Sequence, residues 1–331
     1  MKSVGGARMS VKEQVLKALE EHKGESLSGE AMAESMGVSR AAIHKAIKTL
    51  RMDGYQIEAV TNKGYHLPIS SDMLSVQGIE ACLSPDLKGL PIHVYKTVDS
   101  TNNAAKKLAL EGAVHGTTVL AFHQSQGKGR LGRTFISPAN TGIYMSILLK
   151  PTFDMSHSLL VTTAASVAVV RAMESVCGTQ AQIKWVNDIY AQGKKVCGIL
   201  TEAITDFETS QIQYLILGIG INCSTKEFPQ DLLEIAGALE GEFSKNQLAA
   251  EVLNQVLPLM DHLESESFMD DYKSHSMVLG KEIKVYKGGY VGDVPGRTAR
   301  AMNIAENGGL RVLYSDGSQE ILSTGEISIR L

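Results

Sequence analysis

The chain has 331 residues, 44% of them apolar, which is enough for two or three domains with buried cores. Its formal net charge is −4, so bulk charge excludes a general polyanion-binding protein, and any nucleic-acid contact requires a local basic surface. The four cysteines include no Cys-x-x-Cys pair, which excludes a disulfide framework and a cysteine zinc site and favours reduced thiols in the cytoplasm.

The N-terminus carries no apolar core of the kind found in signal peptides. Residues 1–9 are polar and glycine-containing, and we expect them to form a disordered extension. The apolar runs of the chain are of strand length, which predicts a soluble cytoplasmic protein without a membrane partner.

Residues 10–68 are predicted to form a winged helix-turn-helix DNA-binding domain. The spacing of Val11, Val15 and Leu19 indicates a first amphipathic helix. Serines at the N-cap position predict a second helix over 29–36 and a third over 40–52. Two apolar segments around a turn at 61–64 then predict a hairpin that forms the wing.

The third helix and the wing carry a local excess of positive charge. Residues 39–63 contain five basic side chains against two acidic ones, within a protein of net charge −4. A basic helix face suits the major groove, and a basic wing tip suits a phosphate. The alternative is a protein-interaction module with a solvated basic face. The predicted DNA-binding residues are Ser39, Arg40, His44, Lys45, Lys48 and Lys63.

Residues 73–279 are predicted to form an α+β domain, with strands that alternate with helices lying mainly on one face of a sheet. A polar run at 99–102 caps a predicted helix over 103–110, and a long apolar helix is predicted over 158–176. Residues 280–331 are predicted to form a separate small β-barrel. The strands of both parts are predicted at 92–95, 118–123, 143–149, 182–185, 189–190, 196–200, 214–221, 283–286, 297–302, 310–314 and 327–329.

The loop 124–133 has the most specific composition of the chain. Three glycines and three cations occur within the seven residues 127–133, so backbone and side chains can both approach an anion. A Rossmann fingerprint is rejected because Pro138 and no helical period follow. A P-loop is rejected because no Gly-Lys-Ser/Thr closes the run. A solvated surface loop is the alternative.

Three further polar clusters lie at predicted strand ends. The first is 99–102, which needs only one polar residue if it serves as a helix cap. The second is 184–188, which otherwise reads as a strand followed by a polar turn. The third is 193–200, where Lys195 opens an apolar strand. With the loop, these clusters supply cations, a carboxylate suited to Mg²⁺ and small polar groups, which suits a nucleotide reacting beside a small acid.

In this order, these segments together with 218–222 resemble the biotin protein ligase family. With the DNA-binding module in front, the chain resembles the bifunctional biotin ligases and biotin-operon repressors of bacteria. Val186 departs from the proline, Lys128 from the arginine and Phe135 from the tryptophan common in that family. The resemblance implies a biotin/lipoyl-ligase-like catalytic domain and an SH3-like C-terminal barrel.

The resemblance also implies an activity. Such proteins make biotinyl-5′-AMP from biotin and MgATP and transfer biotin to one lysine of the biotin carboxyl carrier protein. The same intermediate serves as corepressor and promotes a homodimer on the biotin operator. The alternatives are a lipoate–protein ligase and a non-catalytic transcription factor that senses a small molecule.

The resemblance further assigns roles to individual residues. Asp188 is expected to act in catalysis and to bind Mg²⁺. The expected catalytic residues are Lys128, Arg130, Arg133, Asp188 and Lys195. The expected biotin-binding residues are Ser100, Thr101, Asn102, Gln124, Lys128, Gly129, Arg130 and Lys195. The expected nucleotide-binding residues are Arg133, Lys184, Asn187 and Asn222.

Overall fold

A computed structural model of the protein describes residues 9–151, 158–206, 208, 211–265, 267–286, 296–323 and 326–329. The chain divides into two compact units. The first contains the chain up to Lys88 together with Ser244–Ala250, and the second contains Gly89–Phe243 and Glu251–Leu331. The predicted extension 1–9 lies outside the described residues, apart from Met9.

The first unit is built on helices that begin at serine N-caps. Helices α2 (Gly29–Met36) and α3 (Arg40–Met52) have the predicted bounds, and α1 (Val11–Glu21) lies where the apolar spacing indicated a helix. In each case the preceding serine side chain accepts a hydrogen bond from the first turn, which satisfies an otherwise unpaired N–H. A fourth helix, α4 (Val76–Cys82), was not predicted and follows the predicted DNA-binding domain. The core includes Val15, Leu19, Ile43, Ile47 and Leu50.

The predicted wing is a hairpin of β2 (Glu58–Val60) and β3 (Gly64–His66). A short strand that the sequence did not reveal, β1 (Ser26–Leu27), pairs with β3 and makes a three-stranded sheet. Gly64 has φ +105°, and a Cβ there would lie 2.0 Å from the Leu27 carbonyl oxygen. Glycine is therefore required where the wing passes β1.

The second unit contains a seven-stranded sheet, and β4 and β5 run parallel while the other neighbours run antiparallel. The strand order is β4-β5-β6-β10-β9-β8-β7. The strands are β4 (Ile92–Val98), β5 (Thr118–Gln124), β6 (Gly142–Leu149), β7 (Gln182–Lys184), β8 (Asp188–Ala191), β9 (Lys194–Thr205) and β10 (Ile212–Asn222). The helices that follow α4 in the chain are α5 (Thr101–Leu110), α6 (Ser158–Cys177), α7 (Lys245–Asp261) and α8 (Met269–Ser274).

The helices α5 and α6 lie on opposite faces of this sheet, so the prediction of helices mainly on one face is wrong. Helix α5 packs against Ile216 of β10. Helix α6 contacts Thr201, whose hydroxyl lies 2.8 Å from that of Thr162. Thr201 pairs with Leu217, the residue after Ile216, and successive strand residues point to opposite faces. Because β6 is buried along its whole length, its sequence shows no alternation that would have revealed two covered faces.

Helix α6 confirms the long apolar helix predicted over 158–176 and ends one residue later, at Cys177. Its segment Leu159–Cys177 has a mean hydropathy of 1.5 over its most apolar window, and 72% of that window is buried inside the protein. A membrane-spanning helix and a core helix share this composition. Because its side chains pack against the sheet, α6 is a core helix.

The C-terminal strands form a five-stranded antiparallel sheet of order β14-β13-β12-β11-β15. The small antiparallel sheet is therefore confirmed, although β14 was missed, and its closure into an SH3-like barrel stays a prediction. The Trp185 indole donates a hydrogen bond of 3.0 Å to the Gly308 carbonyl, in the turn before β13. The strands are β11 (Glu282–Tyr286), β12 (Arg297–Ile304), β13 (Leu310–Tyr314), β14 (Gln319–Leu322) and β15 (Glu326–Ile329).

Candidate functional site

A cavity of about 280 Å³ lies over the centre of the seven-stranded sheet. Every side chain expected to act in catalysis or ligand binding lies in its wall. The loop after β5, the start of α5 and the segment around β7 and β8 meet there. Those residues are Ser100, Thr101, Asn102, Gln124, Lys128, Gly129, Arg130, Arg133, Lys184, Asn187, Asp188, Lys195 and Asn222.

The N-terminus of α5 contributes the most buried polar side chains of the cavity. The helix begins at Thr101, with Ser100 as N-cap, and not at Asn103 as predicted. Thr101 and Asn102 therefore lie in the first turn and are 4% and 3% exposed. The Thr101 N–H donates a hydrogen bond of 2.8 Å to Gln124 Oε1, which joins the helix to the end of β5.

Asn102 is held by polar groups on the sheet. Its Nδ2 donates to Glu202 Oε2 at 2.7 Å, and its Oδ1 accepts from Ser146 Oγ at 2.6 Å. The Asn102 amide can approach this closely because the neighbouring strand has a glycine. A Cβ on Gly218 would lie 2.3 Å from Asn102 Oδ1.

The glycine-basic loop turns back on itself above the cavity. Lys128 bridges to Thr134 as an isolated antiparallel pair, and Arg130–Gly132 form a single helical turn. Lys128 Nζ donates to Asn103 Oδ1 at 2.6 Å, and Arg130 Nη1 donates to Asn187 Oδ1 at 2.9 Å. The loop cations therefore contact the first turn of α5 and the segment between β7 and β8.

Lys195 and Asp188 form an ion pair in the cavity wall, on the neighbouring strands β9 and β8. Lys195 Nζ lies 2.6 Å from Asp188 Oδ1. Asp188 Oδ1 is buried and has no aligned hydrogen-bond donor among the described residues, so the short approach to Lys195 is an electrostatic contact. The pair places one cation and one carboxylate side by side where an anionic ligand would bind.

Asn222, at the end of β10, presents an acceptor to the cavity. Its Nδ2 donates to the Gly237 carbonyl at 3.0 Å. Its Oδ1 is buried and, within the described part of the chain, accepts no hydrogen bond. A buried acceptor without a partner is costly, so this oxygen suits an N–H donor of a ligand.

Within the described ranges, no group of three or more His, Cys, Asp or Glu side chains is arranged to bind a metal ion. Asp188 is a single carboxylate in the cavity. Mg²⁺ is commonly bound by one or two carboxylates together with the phosphates of a nucleotide. Asp188 therefore suits an ion that arrives with a nucleotide better than a permanently bound one.

Sequence reasoning missed several residues that shape the site. Phe135 places its ring over Gly220, where a Cβ would lie 2.5 Å from the ring. Ser146 and Glu202 lie on the strands beneath Asn102. Glycines at 218 and 220, two apart in an otherwise apolar strand, were the available signal, because strand glycines mark close approach by another group.

In the first unit, the expected DNA-binding residues are exposed. Ser39 Oγ accepts a hydrogen bond of 3.2 Å from the Ala42 N–H, so this side chain caps α3 and retains its own proton to donate. Lys63 is exposed in the turn between β2 and β3. The exposed basic residues of α3 are Arg40, His44, Lys45, Lys48 and Arg51, and the first four are the expected DNA contacts.

Comparison with known protein families supports this division of the chain. Residues 94–222 match the biotin/lipoate A/B protein ligase family. Residues 11–66 match a helix-turn-helix (HTH) domain. The fold and the cavity thus define a class of protein that joins a helix-turn-helix module to a ligase domain of the biotin/lipoate type.

Individual relatives extend over nearly the whole chain. The bifunctional ligase/repressor BirA of Bacillus subtilis is 32% identical over 96% of this chain and 98% of its own length. BirA of Escherichia coli is 27% identical over 93% of this chain and 94% of its own. The biotin protein ligase from Aquifex aeolicus, solved in complex with biotin and ATP, has a TM-score of 0.61 and 28% identity over 72% of this chain and 98% of its own. This chain belongs to the BirA family of bifunctional ligase/repressors, as the sequence resemblance predicted.

Proposed function

We propose that this protein is a biotin–[acetyl-CoA-carboxylase] ligase that also represses the biotin operon, and that each site residue acts as the sequence predicted. The cavity carries the ligase proposal, because all of the expected ligand-binding side chains converge on it. Biotin and ATP are the substrates, biotinyl-5′-AMP the intermediate and the biotin carboxyl carrier protein the acceptor.

The first step joins two anions. A carboxylate oxygen of biotin attacks the α-phosphorus of ATP, a new C–O–P linkage forms, and the bond to pyrophosphate breaks. A carboxylic acid with a pKa near 4–5 is already ionised at neutral pH, so this step needs no base. Its barrier is charge repulsion and alignment, which cations in a closed site lower. The cations lining the cavity are Lys128, Arg130, Arg133, Lys184 and Lys195.

The buried end of the cavity suits the ureido ring of biotin. The side chains there provide both hydrogen-bond donors and acceptors, as the ring N–H and C=O groups require. Lys128, Gly129 and Arg130 would close over the bound vitamin, while Lys195 would hold its carboxylate. The ring-binding residues are Ser100, Thr101, Asn102 and Gln124.

We assign the nucleotide to the opposite wall, with Arg133, Lys184, Asn187 and Asn222. Asn222 supports this assignment most directly, because its buried Oδ1 suits a ligand N–H. Asp188 would contact the Mg²⁺ that accompanies ATP. In the second step, the carrier lysine attacks the acyl carbon, the C–O bond to AMP breaks, and the amine loses one proton.

Pyrophosphate release provides the test of this function. With MgATP, we expect the protein to release pyrophosphate when biotin is added and not when lipoate is added. Release with lipoate alone would support a lipoate ligase, and release with neither would support a non-catalytic sensor. Transfer is checked by mass spectrometry of the carrier protein, in which one lysine gains a biotinyl group.

For repression, we propose that biotinyl-5′-AMP promotes a homodimer in which each winged helix reads one half of a palindromic biotin operator. The exposed basic face of α3 supports this role. One intermediate would then serve as both substrate for transfer and corepressor. We place the protein in the cytoplasm, where its carrier and its operator occur.

The DNA contacts predict two different effects of substitution. Arg40→Ala should weaken binding to the biotin-operon promoter about 5–150-fold, as expected for a lost base contact. Lys63→Ala should weaken all duplexes alike and reduce the salt slope by about 1. Fluorescence anisotropy with biotinyl-AMP at several salt concentrations measures both effects. Lys17→Ala removes the same charge from α1 as a control, and equal losses in all three variants would contradict the assignment.

A further inference from the structure

We propose that Glu202 is a positioning residue that selects ligands with N–H donors, such as a cyclic urea, by fixing the orientation of the Asn102 amide. This inference rests on the proposed biotin site. Glu202 does not line the cavity; it acts on the ligand through the hydrogen-bonded chain behind the cavity wall.

Glu202, on β9, has both carboxylate oxygens engaged. Lys106 Nζ lies 2.5 Å from Oε1, and Asn102 Nδ2 lies 2.7 Å from Oε2. Burial by itself would raise the pKa of Glu202, but hydrogen bonds from Lys106 and Asn102 and the charge of Lys106 outweigh burial and lower the pKa. The side chain is therefore an ionised group that can only accept hydrogen bonds.

An acceptor on one side determines which way the Asn102 amide faces. The amide has a donor end and an acceptor end, and only the donor end is compatible with a carboxylate. With Nδ2 directed to Glu202, Oδ1 is directed to Ser146, whose Oγ lies 2.6 Å away. Asn102 and Ser146 are 3% and 0% exposed, so no solvent is present to satisfy a reversed amide.

The orientation of the Asn102 amide determines how the neighbouring Ser146 hydroxyl directs its proton. Ser146 Oγ lies 2.6 Å from Asn102 Oδ1 and 2.8 Å from Thr101 Oγ1, but it has one proton to donate. Asn102 Oδ1 has none, so the Ser146 proton lies between those two atoms. Ser146 Oγ is also placed to donate to Thr101 Oγ1, but its one proton is engaged by Asn102, so Thr101 Oγ1 receives none from it.

This arrangement leaves acceptor capacity at the cavity wall. Thr101 Oγ1 donates its own proton to Gln124 Oε1 at 3.1 Å and keeps its lone pairs as acceptors. Gln124 Oε1 accepts from both the N–H and the hydroxyl of Thr101, so the free acceptor here is Thr101 Oγ1. Thr101 lines the cavity, so the wall presents an acceptor where a urea would present an N–H donor.

Replacement of Glu202 by glutamine should reverse the orientation of the Asn102 amide and redirect the hydrogen bond that depends on it. The glutamine carbonyl would take the hydrogen bond from Lys106, because that bond involves a charge, and its NH₂ group would face Asn102. Asn102 would then turn its amide and direct its NH₂ group to Ser146, and Ser146 would donate its proton to Thr101 Oγ1 instead. The wall would lose an acceptor without any change in size.

The experiment compares the full-length wild-type protein with Glu202→Gln by calorimetry and steady-state kinetics. We expect the dissociation constant and KM for biotin to rise about tenfold or more, with kcat at saturating biotin and KM for MgATP near wild type. A biotin analogue methylated on one ureido nitrogen adds a more specific readout. Methylation should cost less affinity in Glu202→Gln than in the wild type, an effect that general loss of structure does not produce.

Glu251→Gln is the matched control. The Glu251 carboxylate also accepts from amide groups, from Gln255 Nε2 at 2.7 Å and Asn254 Nδ2 at 3.2 Å, but it lies on α7 and outside the cavity wall. We expect this variant to bind biotin and the methylated analogue as the wild type does.

Asn102→Ala provides a second route to the same test, because it removes the oxygen that engages the Ser146 proton and frees that proton for Thr101. It should produce the same rise in the biotin dissociation constant if Glu202→Gln does not fold. Unchanged biotin affinity and an unchanged methylation cost in either folded variant would overturn the inference alone. Failure of the wild-type protein to bind biotin would overturn the proposed function, and this inference with it.

Discussion

Replacement of Lys195 by methionine is expected to slow the formation of biotinyl-5′-AMP about 10²–10³-fold, the usual cost of removing one preorganised charge from a transition state. Lys195 lies in the cavity wall with its ammonium 2.6 Å from Asp188. Its loss removes a cation from the reacting carboxylate and leaves a carboxylate facing two anionic substrates. Single-turnover formation of labelled biotinyl-AMP from labelled ATP measures the effect.

A double variant separates the two causes of this loss. Asp188→Asn alone is the reference, because Asp188 is itself assigned to Mg²⁺. If the unpaired Asp188 carboxylate causes the loss, Lys195→Met with Asp188→Asn should react as fast as this reference. If the Lys195 charge itself acts on the substrate, the double variant should stay well below the reference, which is the result we expect. Lys107→Met removes an exposed lysine of α5 outside the cavity wall and should leave the rate within about twofold. A wild-type rate in Lys195→Met would contradict the assignment.

The DNA-binding module could be predicted almost to the residue because its signals are local. Ser28 and Ser39 each satisfy an N–H of the following turn, and Gly37 ends α2 in the left-handed conformation. Such signals depend on a few neighbouring residues and therefore appear in the sequence. Strand β1 was missed because two residues carry no period, and its existence depends on pairing with β3.

In the second unit, the functional loops could be predicted from the sequence, but the packing of helices on both faces of the sheet could not. The glycine-basic loop and the polar clusters follow strand ends, and the sheet brings those ends to one cavity. The start of α5 was placed two residues late, because its cap, Ser100, makes no side-chain capping bond and the run after Asp99 offers several equivalent polar residues. The two covered faces of the sheet could not be inferred from strands that are apolar throughout.

The supporting contacts behind the cavity are the part that the sequence could not supply. Glu202 lies 100 residues from Asn102 in the chain, and Gly308 lies 123 residues from Trp185. Neither contact has a spacing or a motif that marks it. Both arise because α5 and the turn before β13 pack against the large sheet, which becomes visible only when the tertiary structure is known.

Replacement of Arg130 by alanine is expected to release biotinyl-5′-AMP about 10–150-fold faster than the wild type, or to prevent its formation. Arg130 Nη1 donates to Asn187 Oδ1 at 2.9 Å, so this residue joins the glycine-basic loop to the segment between β7 and β8. Its guanidinium also supplies charge where the adenylate would lie. Loss of one hydrogen bond to a charged group accounts for a release that is faster by this factor. Rapid filtration of enzyme loaded with labelled adenylate measures the escape rate.

Arg130→Lys distinguishes charge from geometry in this contact. Lysine keeps the positive charge but lacks the planar, multiple-donor group that can hold Asn187 and a phosphate together. We expect adenylation near the wild-type rate and retention between those of wild type and Arg130→Ala. Normal adenylation with normal retention in Arg130→Ala would show that the loop does not close over the intermediate. Equally fast escape in both variants would instead show that the contact between Arg130 and Asn187 alone holds the loop down, because that geometry is lost in both while the charge is lost in one.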